Sequence, residues 1–92
     1  MIISFKCADT QTLFETGRCK RFANCKAVVE RKLTQLDAAV SLDSLRAPPG
    51  NRLEALVGNR KRQHSIRVND QWRICFIWTT EGLCDVEIVD YH

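Results

Sequence analysis

A single change of rhythm constrains this chain most. Apolar residues recur at helical spacing up to about residue 40, and after Pro48-Pro49-Gly50-Asn51 they recur at every second position. Val29, Leu33, Leu36 and Val40 follow one another at steps of four, three and four, which is one stripe of a helix beginning near Asn24. Glu30, Arg31, Lys32, Gln35 and Asp37 are left to cover the remaining faces, and the stripe is read as core contact against a sheet. The Pro-Pro-Gly-Asn segment then breaks the helix and turns the chain.

Beyond it the alternation predicts strands. His64, Ile66 and Val68 alternate with Ser65 and Arg67. Trp72, Ile74, Phe76 and Trp78 share one face, with Arg73, Cys75 and Ile77 on the other. Cys84, Val86 and Ile88 alternate with Asp85, Glu87 and Val89. Turns are expected at Gly58-Asn59, Asn69-Asp70 and Thr80-Glu81-Gly82, a short extended piece at Leu53–Leu56, and a turn of helix at Leu42–Leu45. At the other end, Ile2-Ile3-Ser4-Phe5 reads as a first strand, and Asp9 as the cap of a short helix that includes Leu13 and Phe14 and stops at Gly17. Helices first and an antiparallel meander after them predict an α+β fold of two layers, with the N-terminal helices packed on a small, mostly antiparallel twisted sheet.

Ninety-two residues with a 45% hydrophobic fraction suit one domain, residues 1–92, with a modest core. No apolar run approaches the roughly 20 residues that span a bilayer. The first residues lack the basic start and longer apolar stretch of a signal peptide, so a cytoplasmic protein without membrane contact is expected. The five cysteines (Cys7, Cys19, Cys25, Cys75, Cys84) are odd in number and contain no CxxC pair. Reduced, mostly buried thiols are expected rather than disulfides or a metal site. Cys19, among basic residues, is the candidate for a reactive exception.

The net charge of +3 is mild, but its distribution is uneven. Residues 46–73 hold seven basic groups (Arg46, Arg52, Arg60, Lys61, Arg62, Arg67, Arg73) against Glu54 and Asp70, whereas residues 81–92 hold four acids and no Lys or Arg. A second basic cluster lies at Arg18, Lys20 and Arg21. Clustered positive charge is the footprint of polyanion binding, and equally that of a solvated face. The sequence closes on Asp90-Tyr91-His92, a carboxylate, a phenol and an imidazole directly after a strand that would anchor them. If the last two strands pair through the turn at residues 80–82, Arg73 and Tyr91 approach across neighbouring strands. Proton-transfer groups beside a phosphate-binding surface suggest a small nuclease acting on RNA.

The pattern Gly58-x5-His64-Ser65-Ile66-Arg67-Val68-x3-Trp72-Arg73-Ile74-x-Phe76, ending in Asp90-Tyr91-His92, resembles the HigB-type toxins of the RelE superfamily. So do Ile3-x-Phe5 and Arg52-Leu53-x2-Leu56-x-Gly58, and the resemblance covers essentially the full chain. It implies the toxin of a type II toxin–antitoxin pair with a compact RelE-like fold. Such a toxin binds the 30S A site of the ribosome and cuts translated mRNA there without metal or cofactor. Its partner would be an antitoxin of helix-turn-helix HigA type that neutralises it, the pair binding operator DNA through the antitoxin.

Within that expectation the chemistry assigns roles. Metal-free cleavage uses the 2′-hydroxyl as nucleophile and needs a base, an acid and a cation for the charged transition state. His92 is the natural proton-transfer group, an imidazole having an ordinary pKa of about 6.5. Arg73 grips the scissile phosphate. Asp90 orients His92 or takes part in proton transfer, and Tyr91 stacks on a base or positions the phosphate. Arg52, Arg60, Lys61, Arg62, Arg67, Lys20 and Arg21 are the candidate contacts to RNA and ribosome. A relative in this family has a histidine where this chain has Glu54 and a lysine where it has Val57. Glu54 is therefore either a weak general base or the partner of Arg52 or Arg60 in a surface ion pair. His64 is read as a core histidine, and Trp72 and Trp78 as core aromatics. Two other functions fit the same fold: a gyrase-targeting toxin, and a degenerate module that binds RNA or antitoxin without catalysis.

Overall fold

The computed structural model describes residues 1–48, 50–60 and 62–90, with Arg60 by its backbone alone. Helix α1 spans Ala8–Thr16 and stops at Gly17, whose φ of 72° lets its N–H reach back to the Leu13 carbonyl at 2.8 Å. Its cap is Cys7, in extended backbone, not Asp9 as the sequence suggested. Asp9 instead lies in the first turn, where the helix dipole favours an acid, and pairs with Arg21 at 3.5 Å.

After a 3₁₀ segment at Lys20–Cys25, helix α2 runs from Lys26 to Ala38. Val29, Leu33 and Leu36 are fully buried, so the predicted stripe is the helix's core face. Val40 is not part of it. The helix ends at Ala38, Ala39 turns extended (ψ 131°), and Val40 is 91% exposed. Lys32, expected on the solvent side, is only 5% exposed. A 3₁₀ turn at Asp43–Arg46, which buries Leu45, leads into the sheet.

Four antiparallel strands follow in chain order: β1 (Glu54–Ala55), β2 (His64–Arg67), β3 (Trp72–Thr79) and β4 (Gly82–Asp90). Register sorts their side chains into rows. Ile66, Ile74 and Ile88 form one row, and His64 stands beside Phe76. Ile66, Ile74, Phe76 and Ile88 pack with Leu33, Leu36 and Phe22 in one core. Because neighbouring residues of a strand point to opposite faces, the rows between them face away from the helices. Trp72 and Trp78 flank the core, Trp72 meeting Phe22 edge-on at 5.3 Å between ring centroids. His64 stacks on Phe76 at 6.3 Å, with its Nδ1 buried and lacking a hydrogen-bond partner among the described residues.

The last strand departs from simple alternation. Cys75 pairs with Glu87 but Ile77 pairs with Cys84, so two residues of β4 oppose the single Phe76. This bulge is centred on Asp85, at φ 54°. It shifts the phase, and the core residues are Leu83, Val86 and Ile88, with Cys84 left half-buried. The N-terminal segment lies parallel to β4, bridging at Ile2–Leu83 and Phe5–Val86 instead of forming a regular strand. It passes so close to the β3–β4 hairpin that a side chain at Gly82 (φ 146°) would collide with the Met1 carbonyl. Thr10 Oγ1 accepts the Ile88 N–H at 3.1 Å and fixes α1 to the same strand. All five cysteines are free, as expected, but only Cys25 and Cys75 are fully buried. Among the described residues no helix is long and apolar enough to cross a membrane.

Candidate functional site

The face of the sheet turned away from the helices carries the polar chemistry. Two adjacent rows cross it: Glu54, Ser65, Cys75 and Glu87 in one, Arg67, Arg73 and Val89 in the other. Arg73 occupies the middle of this face and is 7% exposed. Its Nε donates to Ser65 Oγ at 2.8 Å, and its Nη2 donates to the Arg52 carbonyl at 2.8 Å and the Ser65 carbonyl at 3.3 Å. These oxygens, from Ser65 on β2 and from Arg52 just before β1, hold the plane of the guanidinium. The carboxylate Oε1 of Glu54 stands 4.0 Å from Nε.

Above Arg73 opens a polar cleft of about 230 Å³, lined by Arg52, Glu54, Arg67, Asn69, Asp70 and Arg73. Three guanidiniums against two carboxylates give it a net positive charge, and a guanidinium is the side chain best matched to a phosphate. Arg67 pairs with Asp70 across the β2–β3 turn, leaving its side chain 31% exposed. Asn69 shapes that turn, its Oδ1 accepting the Gln71 and Trp72 N–H groups at 2.9 and 2.8 Å. The cleft is smaller than the roughly 300 Å³ at which pockets begin to enclose drug-sized ligands, and suits a phosphodiester lying across it.

Of the residues singled out in the sequence, the fold brings Arg52, Glu54, Arg67 and Arg73 into one cleft. Glu54, expected as a weak base or as the ion-pair partner of Arg52 or Arg60, stands beside Arg73 at 4.0 Å. Asp90 is not among the residues lining the cleft. It sits across from Trp72, one position out of step with Arg73, and accepts a hydrogen bond from Gln71 Nε2 at 3.2 Å. Arg62 and Lys20 are exposed. Arg21 is engaged by Asp9 and by the rings of Phe22 and Trp72, 5.3 and 5.6 Å from its guanidinium carbon. Lys61, Tyr91 and His92, and the side chain of Arg60, lie outside the described residues.

Ser65, Asn69 and Asp70 were not foreseen as site residues. Ser65 was legible as a strand position on the same face as Arg67, but its service as the Arg73 acceptor depends on cross-strand register. The reactive-thiol expectation also moves. The basic residue that reaches a thiol is Arg21, and the thiol is Cys7, 3.8 Å from its Nη1. Burial alone would raise the Cys7 pKa, but the N–H groups of Thr10 and Asp9, the Thr10 hydroxyl and the Arg21 charge outweigh it and hold the pKa below its ordinary value.

Residues 4–92 match the model of a family described as the RelE-like toxin of the type II toxin–antitoxin system HigB. The chain is 41% identical over 94 residues to Toxin HigB-1 of Vibrio cholerae serotype O1, an alignment covering 100% of this chain and 98% of that one. It is 39% identical over 54 residues to an uncharacterised protein of Haemophilus influenzae, covering 59% and 54% of the two chains. The crystal structure of a YafQ mutant from E. coli superposes with a TM-score of 0.66 over 98% of this chain and 91% of that one, at 14% identity, a likeness of fold.

Proposed function

This chain belongs to the HigB-like family of RelE-like toxins of type II toxin–antitoxin systems, and on that footing we propose that it is a ribosome-dependent mRNA endonuclease. An antitoxin partner follows from membership of such a system. In our reading that antitoxin is a helix-turn-helix protein of HigA type through which the pair binds operator DNA. The toxin acts in the cytoplasm on mRNA in the 30S A site. The observation that carries the reading is Arg73, a buried guanidinium held in place by Ser65 and the Arg52 carbonyl at the floor of a cleft with two further arginines.

The 2′-oxygen attacks the adjacent phosphorus as the bond to the 5′-oxygen breaks, giving a 2′,3′-cyclic phosphate and a 5′-hydroxyl. Arg73 bears the charge that gathers on the non-bridging oxygens, a task for a donor already oriented before the reaction begins. Arg67 and Arg52 hold the flanking backbone, with Asp70 yielding Arg67 to a phosphate. Glu54, beside Arg73, accepts the 2′-hydroxyl proton in this reading. His92 returns a proton to the leaving 5′-oxygen, and Asp90 and Tyr91 support it. Arg60, Lys61, Arg62, Lys20 and Arg21 contribute contacts to ribosomal RNA, Arg21 to the extent that Asp9 releases it.

The test is mRNA integrity after brief induction, mapped by primer extension for the wild type beside Arg73→Ala, His92→Ala and Glu54→Gln. Cuts within translated codons in the wild type, lost in Arg73→Ala and His92→Ala, are expected. Growth arrest with intact mRNA overturns the nuclease reading and directs attention to gyrase. No arrest and no cuts point to a binding module without catalysis.

A further inference from the structure

We propose that Lys32 and Asn51 are positioning residues for Arg73, joining helix α2 to the phosphate-gripping guanidinium through the backbone of Arg52. The proposal rests on the nuclease reading above and assigns two residues that do not line the cleft.

The links are continuous. Lys32 is 5% exposed, and its Nζ donates to Asn51 Oδ1. Asn51 is fully buried and committed on every side. Its Nδ2 donates to the Leu45 carbonyl at 3.1 Å and to Gln35 Oε1 at 3.3 Å. Its N–H donates to the Pro48 carbonyl at 3.3 Å, and its own carbonyl accepts the Arg67 N–H at 2.6 Å. One residue therefore ties together α2 and the 3₁₀ turn through its side chain and β2 through its carbonyl.

The next residue shows why that matters. Arg52 sits at φ 45°, in the left-handed region that a non-glycine residue keeps only where its surroundings fix it. In that conformation its carbonyl meets Arg73 Nη2 at 2.8 Å. Freeing Asn51 frees Arg52 to relax toward ordinary backbone, which takes away an oxygen that orients Arg73.

Burial does not favour the charge of the lysine. Lys32 has no carboxylate partner among the described residues, and burial, together with the charges of Arg31 and Arg67, lowers its pKa. A cation in this position is disfavoured by folding, and an apolar side chain of the same length would avoid the desolvation cost. What such a side chain cannot supply is the donor that holds Asn51 Oδ1.

The test compares full-length wild type with Lys32→Met and Lys32→Arg by two readouts. The first is exchange of the Arg73 Nε–H with solvent, followed by nitrogen-15 NMR. The second is the kcat and KM of mRNA cleavage on programmed ribosomes. Lys32→Met is expected to keep its fold, to exchange the Arg73 Nε–H at least tenfold faster, and to lose roughly 10- to 100-fold in kcat with KM little changed, as a misplaced catalytic group does. Lys32→Arg restores slow exchange and most of kcat. Unchanged exchange in Lys32→Met overturns the proposal, as does a loss confined to KM. If Lys32→Met does not fold, Lys32→Gln, too short to hold Asn51, takes its place with the same expected and overturning results. A wild type that cleaves no mRNA removes the nuclease reading alone, because the exchange measurement still decides whether Lys32 positions Arg73.

Discussion

The two faces of the sheet are made by the same strands, one residue out of step. On the helix side the row Ile66–Ile74–Ile88 and the ring of Phe76 are sealed by α2 and the 3₁₀ segment. On the other side the row Arg67–Arg73–Val89 and its neighbour Glu54–Ser65–Cys75–Glu87 carry charge, and Arg73 is nearly as buried there as the isoleucines beside it. Burial is thus achieved in two ways within one strand. The first face excludes water by close packing, which is non-directional and tolerant of exchange among apolar residues of similar size. The second satisfies each polar atom individually, which fixes orientation and tolerates little.

The largest effect is expected from breaking the packed face. Phe76→Ala should cost about 3–5 kcal/mol of folding stability by denaturant unfolding, with activity lost only as the folded fraction falls. Arg73→Gln on the polar face should reverse the pattern. Cleavage is expected to drop roughly 10²–10³-fold while the unfolding midpoint moves far less than in Phe76→Ala. Equal stability losses in the two variants would erase the distinction between the faces. Ser65→Ala sharpens it further. It removes one acceptor from Arg73 and should cost about 1 kcal/mol of stability, with a cleavage defect smaller than that of Arg73→Gln.

The smallest effect concerns Lys32, a charged residue where the fold buries apolar ones. Its folded pKa lies below the ordinary 10.5 that the unfolded chain retains. Between those two values the unfolded chain binds more protons, so stability should rise with pH through that alkaline window. Urea midpoints across it should climb in the wild type and lose that component in Lys32→Met. A wild-type midpoint with no such component would mean that Lys32 is better solvated than its burial implies.

The packed face was largely legible in the sequence, since Val29, Leu33, Leu36, Ile66, Ile74 and Phe76 all lie where period and alternation put them. Arg73 was legible too, as the odd member of an alternating strand. The failures share a cause. Cys84 was put in phase with Val86 and Ile88 because the bulge at Asp85 has no signature in hydropathy, though it resets the phase of everything on one side of it. Lys32 was assigned to solvent because the helical period says which direction a residue points but not how far the stem of a lysine runs along apolar surface before its head finds a partner. That partner, Asn51, lies 19 residues away and is itself placed by the Arg67 N–H on a strand not yet formed at that point of the chain. Local pattern carries packing well and long-range polar satisfaction poorly.

The N-terminal segment's seat against β4 also bears on when this protein becomes a toxin. Ser4 meets the Asp85 N–H across a separation of 81 residues, and Thr10 meets Ile88 across 78. Contacts of such range are closed last and at high entropic cost. Synthesis from the N-terminus therefore leaves the first segment without its partner until β4 has been made. The active conformation is delayed until β4 has been made, and a chain interrupted before β4 lacks the seam that closes the fold.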